Sequence, residues 1–463
     1  MESIKTFNHL KIEPYEVVDI LNLEINRKIN SHGELKLKCV ISDEKKDSYV
    51  KEANFGQQIK ITVDSEVFFQ GIVTNIKVQK VGEIFYLDVE AKTNTYVMDL
   101  REKKRSFQNK NMTYAGLIHE VIKEYQGSDF IDKLSYGDQI KNWILQYEET
   151  DWEFLKRIAS NLEGALIADT KSGKPKFWFG ANTGNNKGLL SNYNYSLEKE
   201  VESSKKKKLK FGKKPEVQES YIVESESLIE VGEEVTFQGK KLYVQEAKTH
   251  MEKGVLKNLY VLVDKKKLKR HRKYNEKFQG ISMLARVLKV EKDEVKVHLE
   301  IDQEQKEAEA WNFKYATPYS AEKHGGWYCM PELGDYVHVY IPNKKEEEGY
   351  ASNSFRMTRE DPRIFNPDVK YFRTKDGKEL RFTPEGITIT AKDNQIFIDL
   401  NDKGGIQIFS AKSISLSAQE NISINSGKKI NIAASESISM KAKDSDIKMD
   451  SIINLHGQEI RVN

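Results

Sequence analysis

The chain has 463 residues, 31% of them charged and 38% hydrophobic, with a formal net charge of +3. That length is more than one core can grow to fill, so three or four domains are expected, and the near-balanced charge gives no bias toward nucleic acid or membrane. Cys39 and Cys329 stand far apart without CxxC partners, which excludes a disulfide framework and a zinc site and reads them as small core residues. No run of eighteen apolar residues occurs, and the opening MESIKTF carries charge where a secretory leader needs an apolar stretch, so synthesis ending in the cytoplasm is expected. Short alternating runs of Val, Ile, Tyr and Phe predict a mainly β fold.

Residues 1–270 contain an internal echo. Gly56-Gln-Gln-Ile-Lys-Ile, Phe69-Gln-Gly-Ile-Val and Leu87-Asp-Val are answered by Gly232-Glu-Glu-Val-Thr-Phe, Tyr243-Val-Gln-Glu-Ala and Leu259-Tyr-Val. Two similar β-barrels would produce it. Between them, a helical segment over about 113–164 is predicted in two pieces. Thr113 caps a helix with Leu117, Ile118, Val121 and Ile122 on one face. Further on, Thr150 and Glu153 form a capping box, Phe154, Leu155 and Ile158 make a buried stripe, and Gly164 ends the turn. The lysine run Lys205 to Lys208, followed by Phe211, reads as a solvated loop insertion.

Residues 280–345 alternate in short strands divided by charged turns, which predicts a five-stranded barrel. Its acidic loops, with Glu304, Glu307, Glu309 and Glu346 to Glu348, argue against binding single-stranded nucleic acid. Residues 346–390 are expected to be a connector.

The region 391–463 carries a repeat. The pairs Ile398/Leu400, Ile406/Ile408, Ile414/Leu416, Ile422/Ile424, Ile430/Ile432 and Ile438/Met440 recur every eight residues, with Ser, Ala, Asn, Lys and Gly between them. Each octapeptide therefore predicts a short strand and a polar turn. One chain of such strands would expose an aliphatic ribbon, whereas three chains wrapped about an axis enclose every pair. At about 4.8 Å per strand, six repeats make a rod of about 30 Å. The other way to stack short strands is a single-chain solenoid, for which eight residues per coil are few. After Met440 the period slips, as in a taper or cap.

Catalytic patterns are missing from the sequence: no GxSxG, HExxH, CxxC or Walker A loop occurs, and Glu148, Glu149 and Asp151 fall inside the helix signature, where no pocket is implied. No enzymatic activity and no cofactor are expected.

Two stretches resemble the central spike proteins of contractile injection systems, the VgrG type. Thr317-Pro318, Gly326-Trp327 and Pro331-Glu332-Leu333-Gly334-Asp335-Tyr336-Val337-His338-Val339 are similar to the (S/T)P, GW and P-x-x-G-D-x-V-x-V segments of that family's OB-fold domain. Gln146-Tyr147-Glu148-Glu149-Thr150-Asp151-Trp152-Glu153-Phe154-Leu155-Lys156-Arg157-Ile158 is similar to the QY-x-E-(S/T)-D-(F/W)-x-F-L-x-R signature of its hub. The resemblance covers nearly the whole chain in family order. It implies tandem hub β-barrels with a small helical insert, an OB-fold barrel and a C-terminal intertwined trimeric β-prism. It also implies a homotrimer that caps a hexameric tail tube and meets baseplate wedge proteins, a PAAR-type tip protein and an effector toxin. Such a particle is ejected and touches the target membrane or cell wall only on puncture. Family tips can bind iron through an HxH pattern; here His456 stands alone, at most three ligands per trimer where an octahedral site needs six, so packing is its default role. A tail-associated cell-wall hydrolase and a receptor-binding adhesin with a prism stalk are the alternatives. Among phage tail, tailocin, type VI apparatus and extracellular particle the residues do not choose.

Overall fold

The computed structural model describes residues 5–45, 48–181, 186–190, 194–201, 217–320, 325–357, 366–392 and 395–449. The chain divides into two compact units, Met1–Thr358 and Arg359–Asn463.

In the first unit a twelve-stranded sheet surrounds two hydrophobic cores. Alternation builds the first: along Glu34–Ile41 the side chains of Leu35, Leu37, Cys39 and Ile41 are buried while their neighbours face outward. The two predicted barrels, each with its own core, are joined by strand pairing. Strand Val17–Lys28 pairs with Lys240–Glu252 from Lys28↔Glu246 to Glu24↔His250, so one sheet runs continuously around both cores. The echo itself is structural. Gln58–Val63, Glu66–Val81 and Ile84–Thr93 form one antiparallel meander; Glu234–Phe237, Lys240–Glu252 and Val255–Val263 form the other. Gly56 and Gly232 enter these meanders at φ values of 95° and 88°, a backbone that glycine adopts without strain.

The helical insert has its own core. Helix Tyr114–Ile122 is capped by the Thr113 hydroxyl, and helix Asp151–Asn161 by Thr150 with the Glu153 capping box complete. Its end differs from expectation, because Glu163, at φ 57°, takes the left-handed position while Gly164 serves packing. A Cβ on Gly164 would collide with the Leu134 side chain.

Strands Ser282–Glu291, Glu294–Leu299, Asn312–Ala316, Tyr336–Tyr340 and Tyr350–Phe355 close a barrel in which the third and fifth strands pair in parallel. This is OB topology. The barrel's last strand lies in the segment taken for connector. Its core also holds two residues from the insert, Trp143 and Leu145, and the Trp143 ring stands 4.9 Å from Phe313. Cys39 is buried as expected, but Cys329 is exposed because it lies in the long connection before Tyr336–Tyr340.

In the second unit Lys370–Arg373, Glu379–Thr383, Gly386–Lys392, Ile396–Asn401 and Gly405–Ser410 form an antiparallel meander. Its first two strands, and most of the third, also occupy the expected connector. Ile438–Ala442 and Ser445–Met449 form a hairpin, while residues 412–437 belong to no helix or strand, bend every eight residues and pair with no other described segment of their own chain.

Close approach at Gly71 gives a test. A Cβ there would press against the backbone carbonyl of Lys92 on the paired strand, which cannot swing away as a side chain can. Gly71→Ala should cost about 1–3 kcal/mol through overpacking. Urea unfolding followed by circular dichroism reads the shift.

Candidate functional site

The residues singled out in the octapeptides are the first candidates. Ile398, Leu400, Ile406, Ile408, Ile414, Leu416, Ile422, Ile424, Ile430, Ile432 and Met440 are all exposed within the single chain, and Ile438 is half-buried. Exposure reaches 74% at Leu416 and 66% at Ile424, values far from those of a core. The six pairs are not equivalent. Ile398 lies opposite Ile408, and Leu400 opposite Ile406, in one intrachain hairpin; Ile438 lies opposite Met449, and Met440 opposite Ile447, in another. Between the hairpins, the three pairs from Ile414 to Ile432 are exposed and have no strand partner among the described residues of their own chain. His456, Lys205 to Lys208 and Phe211 lie outside the described residues.

The second candidate is the joint between helical insert and barrel, where the sequence signature is spent on buried polar contacts. Gln146 Nε2 donates to Asp151 Oδ1 at 2.9 Å and to the Glu149 carbonyl at 3.1 Å, and Gln146 Oε1 accepts from Arg105 Nε at 2.7 Å. Fully buried Asp151 also accepts from Lys103 Nζ and from the Tyr125 hydroxyl, both at 2.6 Å, and from Arg105 Nη2. Burial, and then Asp151, push the Tyr125 hydroxyl well above its ordinary range. Thr150, besides capping its helix, donates to Asp99, which lies 3.0 Å from His32 Nε2.

Arg157 ties the insert to the barrel. Its Nε and Nη2 reach Glu149 at 2.7–3.2 Å, Nη2 also meets the Leu145 carbonyl, and Nη1 reaches Glu346 Oε1 of the barrel at 2.8 Å. All three charged side chains are buried. Two carboxylates share one guanidinium, and burial holds Glu149 above the usual carboxylate range although Arg157 pulls the other way. Glu346, read in the sequence as a loop acid, is thus an internal tie. Asp302 makes a second tie by accepting from the Ser106 backbone N–H at 2.7 Å and its hydroxyl at 2.6 Å. A third runs from the Trp311 backbone N–H to Gln108 Oε1 at 3.0 Å. With the Trp143 plug, these contacts make a fixed coupling. Among the described residues no group of three or more His, Cys, Asp or Glu is placed to hold a metal ion.

Residues 26–168, which span the first core and this insert, match the phage tail baseplate hub family (GPD). Among solved structures, the Escherichia coli c3393 protein is described as a component of the type VI secretion system with structural similarity to T4 bacteriophage tail proteins gp27 and gp5. It superposes with a TM-score of 0.54 at 14% identity, over 75% of this chain and 99% of that one. The half-lidded Francisella PdpA-VgrG complex gives 0.55 at 10% identity, over 88% of each chain. The lidless PdpA-VgrG complex gives 0.53 at 11% identity, over 88% of this chain and 98% of that one. The chain matches the baseplate-hub model over residues 26–168 and has a VgrG-like fold. No curated protein matches it. Within this VgrG-like fold the QY-x-E-T-D-W signature forms the joint, and the P-x-x-G-D segment forms the turn into barrel strand Tyr336–Tyr340.

Removing one partner of a buried triad strands the others' charge. Arg157→Met should therefore cost about 3–5 kcal/mol, and Thr150→Ala about 1 kcal/mol through the lost cap. Both are read by chemical denaturation. Burial lowers the His32 pKa from 6.5, so the fold favours neutral imidazole. The associated stability is present above about pH 6.5 and is lost as pH falls below it. Thermal melts of wild type minus His32→Gln should show a difference that shrinks on acidification over that range.

Proposed function

We propose that this chain is the homotrimeric hub and spike of a contractile injection machine. Its sheets cap a hexameric tail tube amid baseplate wedge proteins, and the octapeptide rod pierces the target envelope. The observation that carries this is the uncovered ribbon from Ile414 to Ile432. Each of its side chains would contribute about 1.5–3 kcal/mol if fully buried, a gain that the single chain does not collect. Three copies, with the twelve residues Ile398 to Met440 turned inward, supply both the apolar cover and the missing strand partners.

The baseplate-hub match and the VgrG-like fold support the assignment to a phage-tail or type VI hub. No helix among the described residues is long and apolar enough to cross a membrane, and the puncturing role needs none, since force comes from sheath contraction. The chain's part in this reading is stiffness rather than catalysis. A PAAR-type tip protein and an effector are proposed as cargo at the far end, and the assembled machine is an injection particle.

Light scattering on the full-length protein tests the assembly. The expected mass is three times 53.5 kDa, resistant to mild detergent; a 53.5 kDa particle would sink the proposal. Charge in the rod core, as Ile422→Asp with Ile424→Asp, should abolish detergent resistance, since a carboxylate pair per chain would have to lose its water.

A further inference from the structure

The meander Lys370–Ser410 has a face that the octapeptide period does not announce. Register aligns Phe372 with Leu380, Leu380 with Ile389, Ile389 with Ile398 and Ile398 with Ile408, an unbroken apolar row across all five strands. A second row runs beside it from Phe382 through Ile387 and Leu400 to Ile406. These side chains are exposed or half-buried: Phe372 is 46% exposed, Ile389 48% and Ile408 57%. Its charged strand residues are Lys370, at the edge strand, and Lys392, which the register sets opposite Ile396 past a bulge. The opposite face is more polar. Beside the stacked rings of Phe397 and Phe409, 5.4 Å apart, it carries the row Tyr371, Arg381, Thr388, Asp399 and Gln407, in which Thr388 donates to Asp399 at 2.8 Å, and Arg381 pairs with Glu379.

We infer that this apolar face docks on the same face of two further copies, and that it does so before the octapeptides interlace, setting the register of the trimer. The inference rests on the trimeric reading above and adds the seam, its starting point at Lys370 and the order of assembly. The occupant follows from continuity. Ile398/Leu400 and Ile406/Ile408 belong both to the meander face and to the octapeptide ribbon, so whatever covers one covers the other. The charged strand residues of this face are both lysines at its margin, beside two rows of apolar side chains, so charge supplies little of what a partner could bind.

Order follows from backbone bonding. Every strand of the meander is hydrogen-bonded within its own chain, so each monomer presents a finished surface. Residues 412–437 have no such bonds and gain partners only when neighbouring chains are held alongside. Two or three octapeptides could pair one repeat out of step at little cost, because their sequences are alike. A meander with the bulky Phe372 and Phe382 at one side and isoleucines at the other does not permit that slip.

The test labels thiols in the full-length protein, in a Cys329→Ser background that removes the exposed native thiol. Ile389→Cys places a thiol on the apolar face and Gln407→Cys on the polar one; both positions are exposed in the single chain. In trimer confirmed by mass, the Ile389→Cys thiol should react with maleimide at least about tenfold more slowly than the Gln407→Cys thiol, since reaction requires an accessible thiolate. Equal rates in a trimer would overturn the seam while leaving the octapeptide trimer intact. A monomeric mass would overturn both. Mixing denatured chains and refolding them gives the order: protection at Ile389→Cys should appear before protection at Ile422→Cys, and the reverse order would overturn the register-setting role.

Discussion

A segment with aliphatic pairs every eight residues and no strand beside it gains nothing from its own chain. Among the described residues the peptide groups of 412–437 find no backbone partner, and the isoleucines between Ile414 and Ile432 remain more than half exposed. Ordering a residue costs on the order of 1–2 kcal/mol of backbone entropy, which an uncovered pair cannot offset. In the trimer proposed above, cover comes from outside the subunit, and a threefold bundle of identical ribbons supplies it evenly along the whole length. Much of the second unit makes sense as a device for delivering that segment in register: a self-paired meander before it and a self-paired hairpin after it.

In the proposed spike the first unit would meet a different demand, that of transmitting load without hinging. Its sheet passes continuously around both cores instead of breaking at a linker, through the pairing of Val17–Lys28 with Lys240–Glu252. Its barrel is joined to the helical insert by an inserted tryptophan and by Arg157 between Glu149 and Glu346. Buried ion triads are poor investments in stability alone, because desolvation consumes most of the attraction. They are directional, however. A guanidinium held by two carboxylates and the Leu145 carbonyl fixes the angle between the elements that bear them, and that is the property a stiff neck requires.

Local chemistry was the part legible in sequence. The Thr113 and Thr150 caps and the Glu153 box depend on residues within a few positions, and they occur as read. Alternation revealed the barrel strands, and a fixed period revealed the octapeptides. What escaped reading involves partners distant in sequence. Lys28 and Glu246 are more than two hundred residues apart, so two barrels and one continuous sheet share a single sequence pattern. Trp143 enters the barrel core from outside the barrel's own stretch, and Glu346 hides a buried role in a run of three acids. The strand Tyr350–Phe355, with Ser, Asn and Ser at its centre, has too little alternation to announce itself. The meander escaped for another reason: the pairs Leu380/Phe382, Ile387/Ile389 and Ile398/Leu400 step by 7 and then 11 residues, which breaks the period of 8 that marks the rod.

Backbone hydrogen exchange across residues 412–437 in the intact protein addresses the central claim most directly, because among the described residues these amides have no backbone partner, and only those of Lys412, Lys428 and Lys429 meet a serine hydroxyl. Slow exchange, comparable to that of the barrel strands, is the predicted result, since neighbouring copies would then supply the missing acceptors. Exchange at the rate of an unstructured peptide would contradict it and leave the ribbon uncovered in the assembled molecule.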